Sequence, residues 1–297
     1  MRSQSSMRKQ LLILAGLTFL VPGVMLGCSP RETTGEPQAQ TQTPTQAQQE
    51  TGTLQIRANG EEFAREGFVS KDGWKISFNH VYTNLADITA YQSEPPFNPE
   101  TDKNVQAKEK VVVAQAKTVD LAQSGKGEAD SVLVGEAPNA PVGQYNALSW
   151  RMVPATAGPA QGQTLRMDGT AEKEGRTVNF VLNIDREFEY VCGEFVGDER
   201  KGIVQAGETA DLEATFHFDH LFGDADKSPD DPVNQQALGF EPLAALAQNS
   251  KLEVDTAQMQ SELSAENYQR LQEILPTLGH VGEGHCRETT TQTTVLQ

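Results

Sequence analysis

The chain has 297 residues, with 24 basic and 41 acidic side chains and a formal net charge of −17. That balance argues against a nucleic-acid partner and against docking on anionic lipid by charge. It suits the attraction of cations, although most such carboxylates form a solvated surface.

Residues 1–27 have the three parts of a secretory signal. Arg2, Arg8 and Lys9 make a basic start, and Leu11 to Val21 is apolar apart from Gly16 and Thr18. The stretch is shorter than the ~20 apolar residues of a membrane-spanning helix. It leads into Met25-Leu26-Gly27-Cys28, which resembles the lipobox of bacterial lipoproteins, with Met25 where that family usually has Leu. The resemblance implies cleavage before Cys28, lipid on its thiol and, with Ser29 following, passage to the outer membrane, facing the periplasm or the cell surface. An ordinary signal peptide with an incidental cysteine is the alternative. Several acyl chains, at about 0.8 kcal/mol per buried CH₂, hold a protein durably to a membrane.

Residues 28–52 hold the lipidated cysteine and a Gln, Thr, Pro, Ala and Glu tract with no large apolar side chain. Such a tract cannot bury enough surface to offset its ordering entropy, so it reads as a disordered tether. Residues 53–297 remain for a folded domain, long enough for a sizeable core.

Within that domain the dominant period is two. Trp74, Ile76, Phe78, His80 and Tyr82 share one strand face. Leu148, Trp150 and Met152 form a second stripe, Val178, Phe180, Leu182 and Ile184 a third, and Leu212, Ala214, Phe216 and Phe218 a fourth. Shorter strands are expected at 53–58, 110–116, 118–121, 131–134 and 164–168. Gly, Pro, Asn and Asp clusters punctuate them. The run Thr118-Val119-Asp120-Leu121, with Pro141-Val142-Gly143-Gln144-Tyr145 after it, resembles transthyretin-like or immunoglobulin-like envelope modules. Pattern and resemblance together predict a mainly β domain, an antiparallel β-sandwich. A small C-terminal helical appendage completes it. One helix is expected at 239–247, started by Glu241-Pro242, and another is capped by Ser264 and closed by Gly279.

Lipidation of Cys28 leaves Cys192 and Cys286. In an oxidising envelope such a pair is expected to form a disulfide, the competing reading being metal ligation. The bridge would close a loop of about 95 residues, for which the chain-entropy argument gives about 4–5 kcal/mol.

Five histidines are present: His80, His217, His220, His280 and His285. Strand parity puts Phe216, Phe218 and His220 on one face, and Phe78, His80 and Tyr82 on another. If both faces point inward, His80 and His220 converge. Converging imidazoles have a simple shared partner in a metal ion. His217 points the other way unless its strand ends or bulges. The terminal segment interleaves Gly279, Gly282 and Gly284 with His280, Glu283, His285 and Cys286, so a Cys192–Cys286 bridge would hold His285 near the sheet. The expected ligands are His80, His217, His220 and His285, for zinc, copper or iron. The competing reading has these rings hydrogen-bonding within the core of an envelope assembly or adhesion module, with another envelope protein as partner. Asp224-Ala225-Asp226-Lys227-Ser228-Pro229-Asp230-Asp231 has the start of a calcium loop. It lacks the turn glycine and the bidentate Glu, so it reads as a solvated loop. No nucleophile elbow, phosphate loop or dinucleotide fingerprint occurs, and the chain is expected to bind rather than catalyse. A metallohydrolase is the further alternative, with Glu283 as base to a metal-bound water.

Overall fold

Period-two apolar alternation produces strands in the computed structural model, which describes residues 49–123, 130–193, 202–282 and 286–291. Cys28, Glu283 and His285, and with them the signal and the tether as far as residue 48, lie outside the described residues. In chain order come β1 (Thr51–Asn59), α1 (Glu61–Glu66), β2 (Phe68–Val69), β3 (Lys75–Ser93), β4 (Ala107–Asp120) and β5 (Val132–Pro141). Then follow β6 (Gly143–Gln144), β7 (Ala147–Met152), β8 (Leu165–Lys173), β9 (Arg176–Ile184), β10 (Glu187–Gly193), β11 (Ile203–Val204) and β12 (Thr209–Phe216). Short helices dominate the last third: α2 (Asp219–Phe222), α3 (Pro232–Gln236), α4 (Glu241–Ala244), α5 (Thr256–Glu262) and α6 (Ala265–Ile274). They are interspersed with β13 (Lys251–Asp255), β14 (Gly279–His280) and β15 (Cys286–Thr291).

The domain is mainly β, as the alternation predicts. A four-stranded sheet runs β14-β12-β1-β5 and a nine-stranded sheet is built on β13-β9-β8-β3-β7-β10-β15, with β2 and β4 also on β3. Leu54, Ile56, Leu212, Ala214 and Phe216 of the smaller sheet and Trp150, Phe180, Leu182 and Ile184 of the larger belong to one buried cluster. Pairing is not wholly antiparallel: β1 runs parallel to β12, and β13 parallel to β9. Long stretches of chain separate the partners, which gives room for the crossover that parallel strands require. The region of Pro141 to Tyr145 closes on itself, Tyr145 donating its hydroxyl to the Pro141 carbonyl at 3.1 Å.

Strand β3 is the organising element. Beyond the short contact with β2, β4 takes one edge of it, from Tyr82 to Ser93. The other edge is shared, β8 pairing as far as Thr83 and β7 from Leu85 onward. Asn84, 5% exposed, sits at the change of partner. Its N–H donates to the Thr164 carbonyl, its carbonyl accepts from Val153 N–H, and its side chain donates to the Val153 carbonyl and accepts from the Thr118 hydroxyl. Every polar group of this buried residue is thereby satisfied where the ladder breaks.

The same strand overturns the expected inward position of His80. The pairing steps from Phe78↔Gly169 to His80↔Asp168, so Asn79 is an extra residue on β3, a bulge. Gly169 admits it, since a Cβ there would strike the Ser77 carbonyl and the Phe180 ring. Parity inverts beyond the bulge: Val81, Thr83 and Leu85 are buried, and the His80 side chain is 40% exposed.

The helical region follows its caps. The Ser264 hydroxyl accepts from Asn267 N–H, as expected, and Asp255 with Gln258 forms a capping box on α5. Helix α4 covers only part of the expected 239–247 span. Nor does Gly279 close α6 in a left-handed conformation. Pro276, which has no N–H to continue the helix, lies in a 3₁₀ turn, Leu275–Leu278, and Gly279 then begins β14 with extended backbone. Glycine is needed there for space, because a Cβ would lie 2.8 Å from the Tyr190 ring. Among the described residues no helix is long and apolar enough to cross a membrane.

Candidate metal site

The residues that build the site lie where β12 ends. Thr215 pairs with His280 and Phe216 with Gly279, which places β14 beside the last turn of β12. The N–H of His217 donates to the Leu278 carbonyl at 3.0 Å, and the chain then turns into α2. Phe218 and Phe222, both fully buried, anchor that turn among Phe68, Phe78 and Phe240. His217 and His220, three residues apart across this anchor, stack on each other with ring centroids 5.3 Å apart. His217 was expected to face away from His220 unless its strand ended. The strand does end, at Phe216, and the turn brings the two rings together.

His280 completes a trio. Its ring meets those of His217 and His220 edge-on, at 4.8 and 5.2 Å between centroids. The Thr277 carbonyl orients two of the three rings. It accepts from His220 Nδ1 at 2.9 Å and from His280 Nε2 at 3.0 Å. A carbonyl only accepts, so these nitrogens carry protons, and the lone pairs of the neutral rings fall on His220 Nε2 and His280 Nδ1. The third ring is oriented by a carboxylate: His217 Nδ1 lies 3.3 Å from Glu61 Oε2. Glu61 is held in a left-handed backbone conformation, φ 55°, and its N–H donates to the Asn59 side chain.

Asp219 adds an oxygen. It is buried, its Oδ2 accepts from Lys227 Nζ at 3.0 Å, and Oδ1 has no hydrogen-bond partner among the described residues. One donor atom each from His217, Asp219 and His220 lies within 4.8 Å of the others, close enough to hold a metal ion. Burial pushes the His220 pKa down, with the nearby Asp219 charge opposing it, so that ring favours its neutral, metal-binding form.

The other expected residues fall elsewhere. His80 stands outside this group: its Nδ1 is 2.6 Å from Asp120 Oδ2, and its ring stacks on Tyr82. Asp120 is itself fixed by the N–H groups of Val81 and Ala122. Cys192 and Cys286 form a disulfide, directly opposite each other on β10 and β15, which removes both from any ligand set. The acidic loop is organised by Asn234, whose side chain bonds the backbone of Asp224, Lys227 and Ser228. Asp231 caps α3. Sequence reasoning missed Asp219 and Glu61 and left His280 out of the ligand set. The signal for Asp219 was its position between two histidines in His217-Phe218-Asp219-His220. Comparison with known proteins gives no relative: no family model, curated protein or solved structure matches the chain.

Proposed function

We propose that this is an envelope lipoprotein whose domain binds a transition-metal ion through His217, His220 and Asp219, and works in metal handling or sensing rather than catalysis. The observation that carries the reading is the convergence of His217, Asp219 and His220 donor atoms within 4.8 Å. Zinc, copper and iron all accept imidazole ligands. The lipid on Cys28 rests on the apolar segment and its resemblance to a lipobox. An extracytoplasmic position agrees with the Cys192–Cys286 bridge, since disulfides persist in oxidising compartments. We further read the two large sheets, which share one core, as a β-sandwich.

Elemental analysis and calorimetry on the purified protein test the metal reading. About one equivalent of zinc or copper should bind, and His217→Ala with His220→Ala should abolish it. Absence of binding by the unaltered protein sinks the proposal. A second reading, an interaction module with structural histidines, draws on the Thr277 carbonyl, which satisfies two of the rings without any ion. It predicts a melting temperature indifferent to chelators and to added metal. Incorporation of labelled fatty acid, lost in Cys28→Ser, tests the anchor independently.

A further inference from the structure

We infer that the site takes a borderline divalent ion such as zinc through three imidazole nitrogens and one carboxylate oxygen, with His280 as the third nitrogen and Glu61 as a positioning residue. This rests on the proposed metal-binding function and specifies its donor set and ligand class.

The argument starts from proton positions. A ring can ligate only through the nitrogen that carries no proton, and a metal-binding histidine almost always donates its other N–H to a carboxylate or a backbone carbonyl. Two of the rings show such a partner, and the third has a carboxylate beside its Nδ1. His220 and His280 both donate to the Thr277 carbonyl, and His217 has Glu61 at its Nδ1. The neutral tautomers are thereby set as Nδ1–H on His220 and Nε2–H on His280, and the carboxylate at His217 Nδ1 favours Nδ1–H there. The ligating atoms are His217 Nε2, His220 Nε2 and His280 Nδ1.

Two features separate this arrangement from histidines that merely pack together. One acceptor serves two rings from different segments, and it comes from the 3₁₀ turn immediately before β14. That turn therefore carries the Thr277 carbonyl and delivers His280 three residues later. The other feature is Glu61. A non-glycine residue with φ 55° is held in a costly conformation, and here it carries the carboxylate that contacts His217. Asp219 Oδ1 supplies the oxygen, while Lys227 holds the other carboxylate atom. The donor set is then three nitrogens and an oxygen. Hard ions such as calcium and magnesium prefer all-oxygen shells, and copper(I) prefers sulfur. Nitrogen-rich sets suit zinc, cobalt(II), nickel(II) and copper(II).

The test is a competitive zinc titration, with the cobalt(II) absorption spectrum as a second readout, on the unaltered protein and on His280→Gln, Glu61→Gln and His80→Ala. Circular dichroism checks that each variant is folded. We expect His280→Gln to weaken zinc binding at least about tenfold and to change the cobalt spectrum. Glu61→Gln should weaken it about 10–100-fold with the spectrum kept, as for other groups that orient a ligand. His80→Ala should match the unaltered protein. Millimolar calcium or magnesium should not displace zinc. If the unaltered protein binds zinc and both His280→Gln and Glu61→Gln bind it equally well, the donor set is overturned while the metal-binding reading stands. Displacement by calcium overturns the ligand class. If the unaltered protein binds no zinc or cobalt, both fall together.

Discussion

The two histidine regions of this domain resolve the same chemical problem in opposite ways. His80 sits within a long strand, is turned outward by one extra residue, and is held by a single carboxylate, Asp120, at 2.6 Å. His217, His220 and His280 come from a strand end, a four-residue helix and a two-residue strand, and pack ring against ring. An imidazole leaving water needs a partner for each nitrogen. A half-exposed ring can leave the second nitrogen to solvent, whereas packed rings must divide a few acceptors among them. Convergence thus depends less on which residues are histidine than on whether a strand ends and the chain turns back beside them.

The comparison can be broken most severely at the disulfide, whose strand β10 carries Tyr190, the ring that meets Gly279 beside His280. Replacing Cys192 and Cys286 by Ser removes the tie between β10 and β15. By the chain-entropy argument this costs about 4–5 kcal/mol for so long a loop, read as a fall in the denaturation midpoint. His80 and its Asp120 partner should be the less affected region, which NMR of the ring protons would show. Next in size is the response to metal. Zinc at about 100 times its dissociation constant should stabilise the protein by about 2.7 kcal/mol. The gain in melting temperature should vanish in His220→Ala and persist in His80→Ala; equal behaviour of the two variants would erase the distinction between the regions.

Two single substitutions of moderate effect sharpen it. Gly279→Ala drives a methyl against the Tyr190 ring, and overpacking of this kind costs about 1–3 kcal/mol. Because Gly279 precedes His280, its metal affinity should drop as well. Asp120→Ala leaves the Val81 and Ala122 N–H groups without their side-chain acceptor, for about 1–3 kcal/mol, and should leave metal affinity alone. Calorimetric unfolding with and without zinc separates the two outcomes.

The smallest expected effect is a pH dependence. Burial pushes the Glu288 carboxyl on β15 above its usual range. The folded state then holds a proton that the unfolded chain has released, so the stabilising contribution is present below the unfolded pKa and is lost as pH rises through the folded one. Glu288→Gln should therefore melt higher than the unaltered protein at neutral pH. That advantage should shrink as pH falls through the raised folded value and be gone below the ordinary glutamate value of about 4.3. A difference that grows on acidification would contradict this assignment.

Much of the fold was legible in the sequence. The stripes Leu148–Trp150–Met152 and Val178–Phe180–Leu182–Ile184 are buried as their spacing predicts, and Ser264 caps its helix. The disulfide followed from the cysteine count. Phe188, Tyr190 and Cys192 carry the same period-two signal for β10, and Leu252 with Val254 marks β13, two strands that the four long stripes do not include. The bulge at Asn79 was not legible. Both Phe78-His80-Tyr82 and Val81-Thr83-Leu85 make acceptable strand faces, and a single inserted residue changes which one is buried without altering the composition. The candidate site was legible only as a supply of histidines. Parity joined His80 to His220, when the real neighbours depended on where β12 stops and on a backbone carbonyl, Thr277, that no side-chain pattern reports.

Strand β3 has a consequence for cooperativity. It is 19 residues long and serves both β8 and β7 along the same edge, with the handover at Asn84. Neither half of the large sheet has a boundary of its own at which to come apart, because each ends on a ladder the other half is using. Heat should then dissolve both halves in one transition, with calorimetric and van't Hoff enthalpies in agreement. Asn84→Ala, which strips the side-chain bonds at the handover, is the change most apt to split that transition in two.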